Sequence, residues 1–240
     1  MMRIFFFLFI CVFNVTFGQP KDSSAVVKTS IETPKTSLKD SIKKTDTISK
    51  SIKTKTPVFE GIITYQKKLL NPNPLLISDD EFYQTVENKG ISKVQVFVKG
   101  NKYKMVSKEY ISIFDPIGYR VCKKDLIKEK DTFYCLPANL PEDKVQKIEP
   151  CGQKATILDK SCLCFLVKSP FSTKTVFYNT ERIKTSPGFW ANHFKDDWGP
   201  ILQRAGSFPL KIITKSSFGN EEWEVIKIEA KTLSAEDFEF

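Results

Sequence analysis

Two residue types in this chain have numbers and spacings that invite chemistry: the cysteines and the single histidine. The stretch at 161–164 reads SCLC, with Cys162 and Cys164 one residue apart; Cys122, Cys135 and Cys151 precede them, and Cys11 lies in an apolar N-terminal run. Such thiols can chelate zinc, cycle as a redox pair or build a covalent frame. A zinc site wants four ligands at short, recurrent spacings; the intervals here match no finger, and no histidine stands near them. A catalytic redox pair wants C-x-x-C at a helix start, where the thiol pKa falls. C-x-C inside an apolar strand lacks that context, so the cysteines read as a frame. Cys162 and Cys164 point to one face of their strand, and a direct bridge between them is strained. Cys122 and Cys135 lie on consecutive strands and are natural neighbours. Cys151 then has Cys162 or Cys164 within reach. Five thiols predict two bridges and one leftover, each bridge contributing roughly 2–4 kcal/mol.

His193, with Asp196 and Asp197 close by, is where a hydrolase would begin. No nucleophile can be assigned to it. The chain has no G-x-S-x-G elbow, no H-E-x-x-H and no phosphate-cradling glycine loop. Asp79, Asp80 and Glu81 read as the acidic first turn of a helix, and Asp196-Asp197 as the cap of another. The sequence therefore names no catalytic residue, no metal ligand and no cofactor, and the expectation is a non-enzyme.

The elements that must position these residues begin after two segments of different character. Residues 1–18, MMRIFFFLFICVFNVTFG, have the layout of a secretory signal: Arg3, a ten-residue apolar core from Ile4 to Phe13, then small residues at Thr16 and Gly18. Cys11 falls within that core. Residues 19–57 are rich in Lys, Ser and Thr and contain no aromatic residue, a composition expected of a disordered tether. The whole chain carries +9, yet nine lysines against four carboxylates put +5 in the tether, leaving +3 on 58–240 once Arg3 is set aside. The basicity thus offers peripheral contact with an anionic membrane surface and argues against nucleic-acid binding. The expected site is the periplasm or the outside of the cell.

From 58 to 240 the pattern is that of strands. FEGIITYQK alternates with period two, and ISKVQVFVKGNKYKMVS is a hairpin turning at Gly100-Asn101. YISIF, YRVCKK, DTFYCL, VQKIE, SCLCFLVK, KTVFYNT, PLKIITK and EEWEVIKIEAK follow. Roughly nine or ten strands in meander order, with few helices, predict a mainly β (α+β) antiparallel sheet. SDDEFYQTVENKG reads as a helix from the Ser78 cap to Gly90, with Phe82, Tyr83 and Val86 on one face. SPGFWANHFKDDWGPILQRAG at 186–206 predicts two short helices starting at Ser186-Pro187, interrupted at Gly199-Pro200 and stopped by Gly206. Phe189, Trp190, Phe194 and Trp198 concentrate aromatic area there. They either cap the sheet and fill its core or, with Phe82 and Tyr83, line or cover a cavity for an apolar ligand.

The order ILDKSCLCFLVKS, TVFYNTERI, FPLKIITK and TLSAEDFEF resembles that of exported cell-envelope proteins of Gram-negative bacteria related to the group named for its GLPGLI motif and to the DUF4412-type proteins. This chain has AGSFPLKI in place of that motif, and Cys164 is additional. The group is similar in turn to the LolA/LolB-like lipoprotein carriers. The resemblance implies an antiparallel half-barrel with short helices closing one side, and it brings no catalytic residue. It makes a lipid or acyl chain the expected ligand. The other expectation is an interaction module with a packed core that docks to an envelope protein or matrix polymer.

Overall fold

The strand at the middle of the sheet shows in its sequence why it is there. β1 (Gly61–Leu70) begins GIITY, all buried, and ends QKKLL, half-buried. Its first half is enclosed on both faces, and its edges are taken by β2 (Ile91–Lys99) on one side and β12 (Gly219–Ala230) on the other. A computed structural model describes residues 57–86, 90–127, 132–141 and 144–240. The leader expected at 1–18 and, but for Pro57, the tether expected at 19–57 lie outside the described residues.

From β1 the chain runs outward as a meander through β2, β3 (Lys102–Val106), β4 (Tyr110–Asp115), β5 (Arg120–Asp125) and β6 (Thr132–Pro137). It returns from the other side through β7 (Lys147–Pro150), β9 (Lys160–Lys168), β10 (Ser172–Tyr178), β11 (Pro209–Ser216) and β12, while β8 (Ala155–Ile157) pairs only with β9. The order β6-β5-β4-β3-β2-β1-β12-β11-β10-β9-β7 is antiparallel and open. Two meanders therefore meet at the β1–β12 seam, and β6 and β7 are the edges.

The mainly β antiparallel class is as predicted, but the strands among the described residues number twelve rather than nine or ten. β8 has three residues, too few to show an alternation. Its turn is built from Leu158 (φ 48°) and Asp159 (φ 61°), a left-handed pair without the usual Asn-Gly signature.

The helices differ from expectation in their ends. α1 (Asp79–Thr85) starts at Ser78 with a reciprocal cap: the Ser78 Oγ accepts from the Glu81 N–H, and Glu81 Oε2 accepts from the Ser78 N–H at 3.1 Å. It stops at Val86, which is extended, well before Gly90. In the 186–206 segment Pro187–Trp190 and Lys195–Asp197 form short 3-10 turns, and the helix proper is α2 (Trp198–Ala205), closed by Gly206 at φ 64°. Gly199-Pro200 opens this helix instead of interrupting it. Proline is tolerated in a first turn because the N–H groups there have no intrahelical partner.

α2 is amphipathic in two directions. Trp198 and Leu202 join the main core with Tyr65, Val96, Tyr103 and Phe208, while Ile201 and Ala205 pack on Phe165, Val167 and Val176 of β9 and β10. The helix thus braces both meanders from one side of the sheet.

The cysteines form two disulfides. Cys122 and Cys135 stand directly opposite each other on β5 and β6, with Cα atoms 4.0 Å apart, and secure the edge strand. Cys151 bridges to Cys164 across a Cα separation of 5.4 Å. Among the described residues Cys162, buried, is the free thiol. It lies opposite Ala155 of β8, so that hairpin covers Cys162 while the chain at 151 runs beside Cys164. The two bridges fit an oxidising, non-cytoplasmic setting. Among the described residues no helix is long and apolar enough to cross a membrane.

Candidate cavity of the sheet

β3 to β6 present one face in three cross-strand rows, because residues in register on antiparallel neighbours stand side by side. The most enclosed row is Tyr103, Phe114 and Val121, all buried, running out to Leu136, which is exposed on the edge strand β6; the row is apolar but for the phenol. The next is Met105, Ser112, Lys123 and Tyr134. The outermost is Tyr110 opposite Asp125. From the other meander Ile212, Thr214, Trp223 and Lys174 turn to the same space, and Trp198 and Ile201 of α2 roof it. The result is a cavity of about 940 Å³. Its floor is apolar, and its mouth carries aromatic and charged side chains.

Charges at the mouth are mostly matched. Lys67 Nζ meets Glu221 at 2.8 Å, and Glu221 also accepts from Trp223 Nε1 at 3.0 Å. Lys174 Nζ meets Asp197 at 2.6 Å. Lys123 Nζ lies over the Tyr110 ring, 4.1 Å from its centre. Burial, aided by the charges of Asp196, Glu221 and Glu109, pushes the Tyr110 phenol up to about 12, so it is protonated at neutral pH.

Beneath the floor lies an aromatic block. Trp190 is fully buried among Tyr103, Phe114 and Phe208, and its Nε1–H donates to Thr185 Oγ1 at 2.7 Å. His193 is equally buried; its Nε2 stands 2.8 Å from the Tyr103 hydroxyl, and its Nδ1 has no hydrogen-bond partner among the described residues. Burial depresses the imidazole to about 4. A folded-state value below the unfolded one means the unfolded chain binds more protons between them, so stability rises with pH across that window. It is fully present above about 6.5 and is lost as the pH falls towards about 4. Urea unfolding at pH 7 and pH 5 is expected to show a decrease of about 2 kcal/mol from this group, and His193→Gln to abolish it. An unchanged difference in the variant would show that other groups carry it.

The structure distributes the six aromatic residues singled out in the sequence. Trp198 lines the cavity and Trp190 lies in the packed block below. Phe189 is exposed, and Phe194 is half-buried away from the lining, its N–H donating to the Ala138 carbonyl at 2.7 Å. Phe82 and Tyr83 pack on each other on α1, and the Tyr83 hydroxyl donates to the Leu69 carbonyl at 3.0 Å. Neither belongs to the lining. Asp197 goes to Lys174 and not to His193, and although it precedes α2 its side chain makes no cap bond. Lys123, Ser112, Tyr110, Tyr134 and Trp223 were not singled out. The period-two alternation of β4 puts Tyr110 and Ser112 on one face, but Lys123, Tyr134 and Trp223 stand on β5, β6 and β12 and join them only through strand pairing and the packing of the sheet.

No family model matches the chain, and no curated protein matches it. Among solved structures it is similar to two of PNGF-II, in C2 and P21 space groups, with TM-scores of 0.44 and 0.43 and 13% identity. The match covers 75% and 76% of this chain but 29% and 30% of theirs, so the chain spans about three tenths of the length of those proteins. A likeness at that level carries no argument about fold or function.

Proposed function

We propose that this chain is an exported carrier of the cell envelope, periplasmic or extracellular, that holds a lipid or acyl chain in a half-barrel of the LolA-like kind. The observation that carries the reading is the cavity of about 940 Å³ with an apolar floor beneath a charged mouth. Small-ligand sites occupy roughly 300–1,000 Å³, mostly apolar with a few placed polar groups. Apolar burial at about 25 cal/mol per Å² retains a chain without any single decisive residue. The two disulfides support the compartment. Extraction of protein purified from its native envelope with organic solvent, followed by mass spectrometry, is expected to release about one lipid per chain. Lipid-free protein that also takes up no added amphiphile would overturn the reading.

A second reading, an interaction module for an envelope protein, is favoured by the β6 edge. That strand reads TFYCLP, carries no charge, and exposes Phe133, Tyr134 and Leu136. β7 at the other edge is guarded by Lys147, Glu149 and Pro150, as sheet edges usually are. On this reading the same extraction yields no lipid.

A further inference from the structure

Lys123 is one of four lysines that line the cavity, with Lys67, Lys174 and Lys195, and its surroundings are unfinished. Lys67 and Lys174 each hold a carboxylate at 2.8 Å and 2.6 Å. Lys123 is half-buried, forms no ion pair among the described residues, and rests on an aromatic face instead. An ammonium drawn out of water is costly unless an anion meets it. On either side in register stand Ser112 and Tyr134, a hydroxyl and a phenol that also donate hydrogen bonds. Three donors therefore share one row across β4, β5 and β6.

The depth of that row matters. It lies two residues along each strand from the apolar row of Phe114, Val121 and Leu136, a step of about 7 Å. It lies the same distance inside the outer row of Tyr110 and Asp125. A group held there has hydrocarbon below it and solvent beyond it. Four carboxylates share the cavity, all outside this row: Glu221 is engaged by Lys67 and Trp223, Asp125 and Glu109 lie in or next to the outer row one step away, and Asp196 belongs to the roof.

We infer that the ligand is an anionic amphiphile, its carboxylate or phosphate oxygens held by Lys123 between Ser112 and Tyr134 and its chain laid on the floor beneath. The inference rests on the carrier reading and adds to it a headgroup charge and the residue that selects it. A charge-assisted hydrogen bond is about twice as strong as a neutral one, and one such contact separates ligands by about tenfold in affinity.

Isothermal titration with dodecanoate, dodecyl phosphate and dodecanol tests it. The two anions are expected to bind about tenfold more tightly than the alcohol. Lys123→Met is expected to bring all three to the affinity of dodecanol, and Lys123→Arg to restore the preference. Equal binding of anions and alcohol by the natural chain, or a preference that survives Lys123→Met, would overturn the inference and leave the carrier reading standing. Binding of none of the three would overturn both. Preference for dodecyl phosphate over dodecanoate assigns a phosphate headgroup, and the reverse a free fatty acid, each upholding the anionic head.

Discussion

Trp190→Ala is expected to lower the unfolding free energy by about 3–5 kcal/mol, the range for emptying a large aromatic site in a packed core. Trp190 has no solvent exposure and touches rings from β3, β4 and Phe208, the residue before β11, so no single neighbour can collapse into the space. The substitution also leaves the buried Thr185 hydroxyl without its indole donor, a further cost for a buried polar group. For a chain of this size the melting temperature should fall by about 10 °C. Phe189, its neighbour in sequence, is 42% exposed, and Phe189→Ala should cost less than about 1 kcal/mol. Urea melts of the two variants check the contrast. Similar losses for both would show that Trp190 is not the anchor of the segment over the sheet.

Gly199→Ala should be nearly as damaging, for a different reason. A Cβ there would stand 2.1 Å from the His193 carbonyl oxygen and 2.6 Å from that of Trp190. Both are backbone atoms of the turn that leads into α2, and the Gly199 N–H already donates to the His193 carbonyl at 2.5 Å. Neither can swing aside as a side chain does. The helix must lift or the turn must open, and a loss at the upper end of the range of about 1–3 kcal/mol follows from overpacking of this kind. Because Trp198 and Ile201 of α2 roof the cavity, the variant should also lose affinity for the dodecyl ligands under conditions where it remains folded. Gly188→Ala, in the same segment with nothing within 4 Å of the added carbon, should stay within about 0.5 kcal/mol of the natural chain. Equal stability of the two variants would contradict the tight approach at Gly199.

These two residues mark the boundary between what can and cannot be read along the chain. The aromatic wealth of 186–206 is plain in the sequence, which leaves open whether it fills the core or lines a cavity. The choice of Trp198 for the cavity and Trp190 for the block beneath is not legible there. Adjacent aromatics on short turns differ in direction by the local backbone, here by the successive left-handed residues Asp196 and Asp197 that reset the chain before α2. Phe82 and Tyr83 shared a predicted helix face, yet their helix ends after Thr85 and its aromatics pack on each other and on the end of β1.

The sequence by itself determined the local facts: alternation with period two, the Gly100-Asn101 hairpin, the acidic capped start of α1, and an odd number of thiols after Cys11 that leaves one unpaired. The first three rest on interactions within a few residues, and the last on counting alone. Only the tertiary structure decided the β1–β12 seam, the partner of Cys151, and which side of β4 and β5 looks into the cavity. Alternation defines two faces of a strand without saying which is enclosed. That follows from pairing between residues as distant as Tyr65 and Val225, whose meeting depends on closing a long loop and on the packing of α2 across both meanders. Lys123 reads as an ordinary surface lysine until its row is assembled.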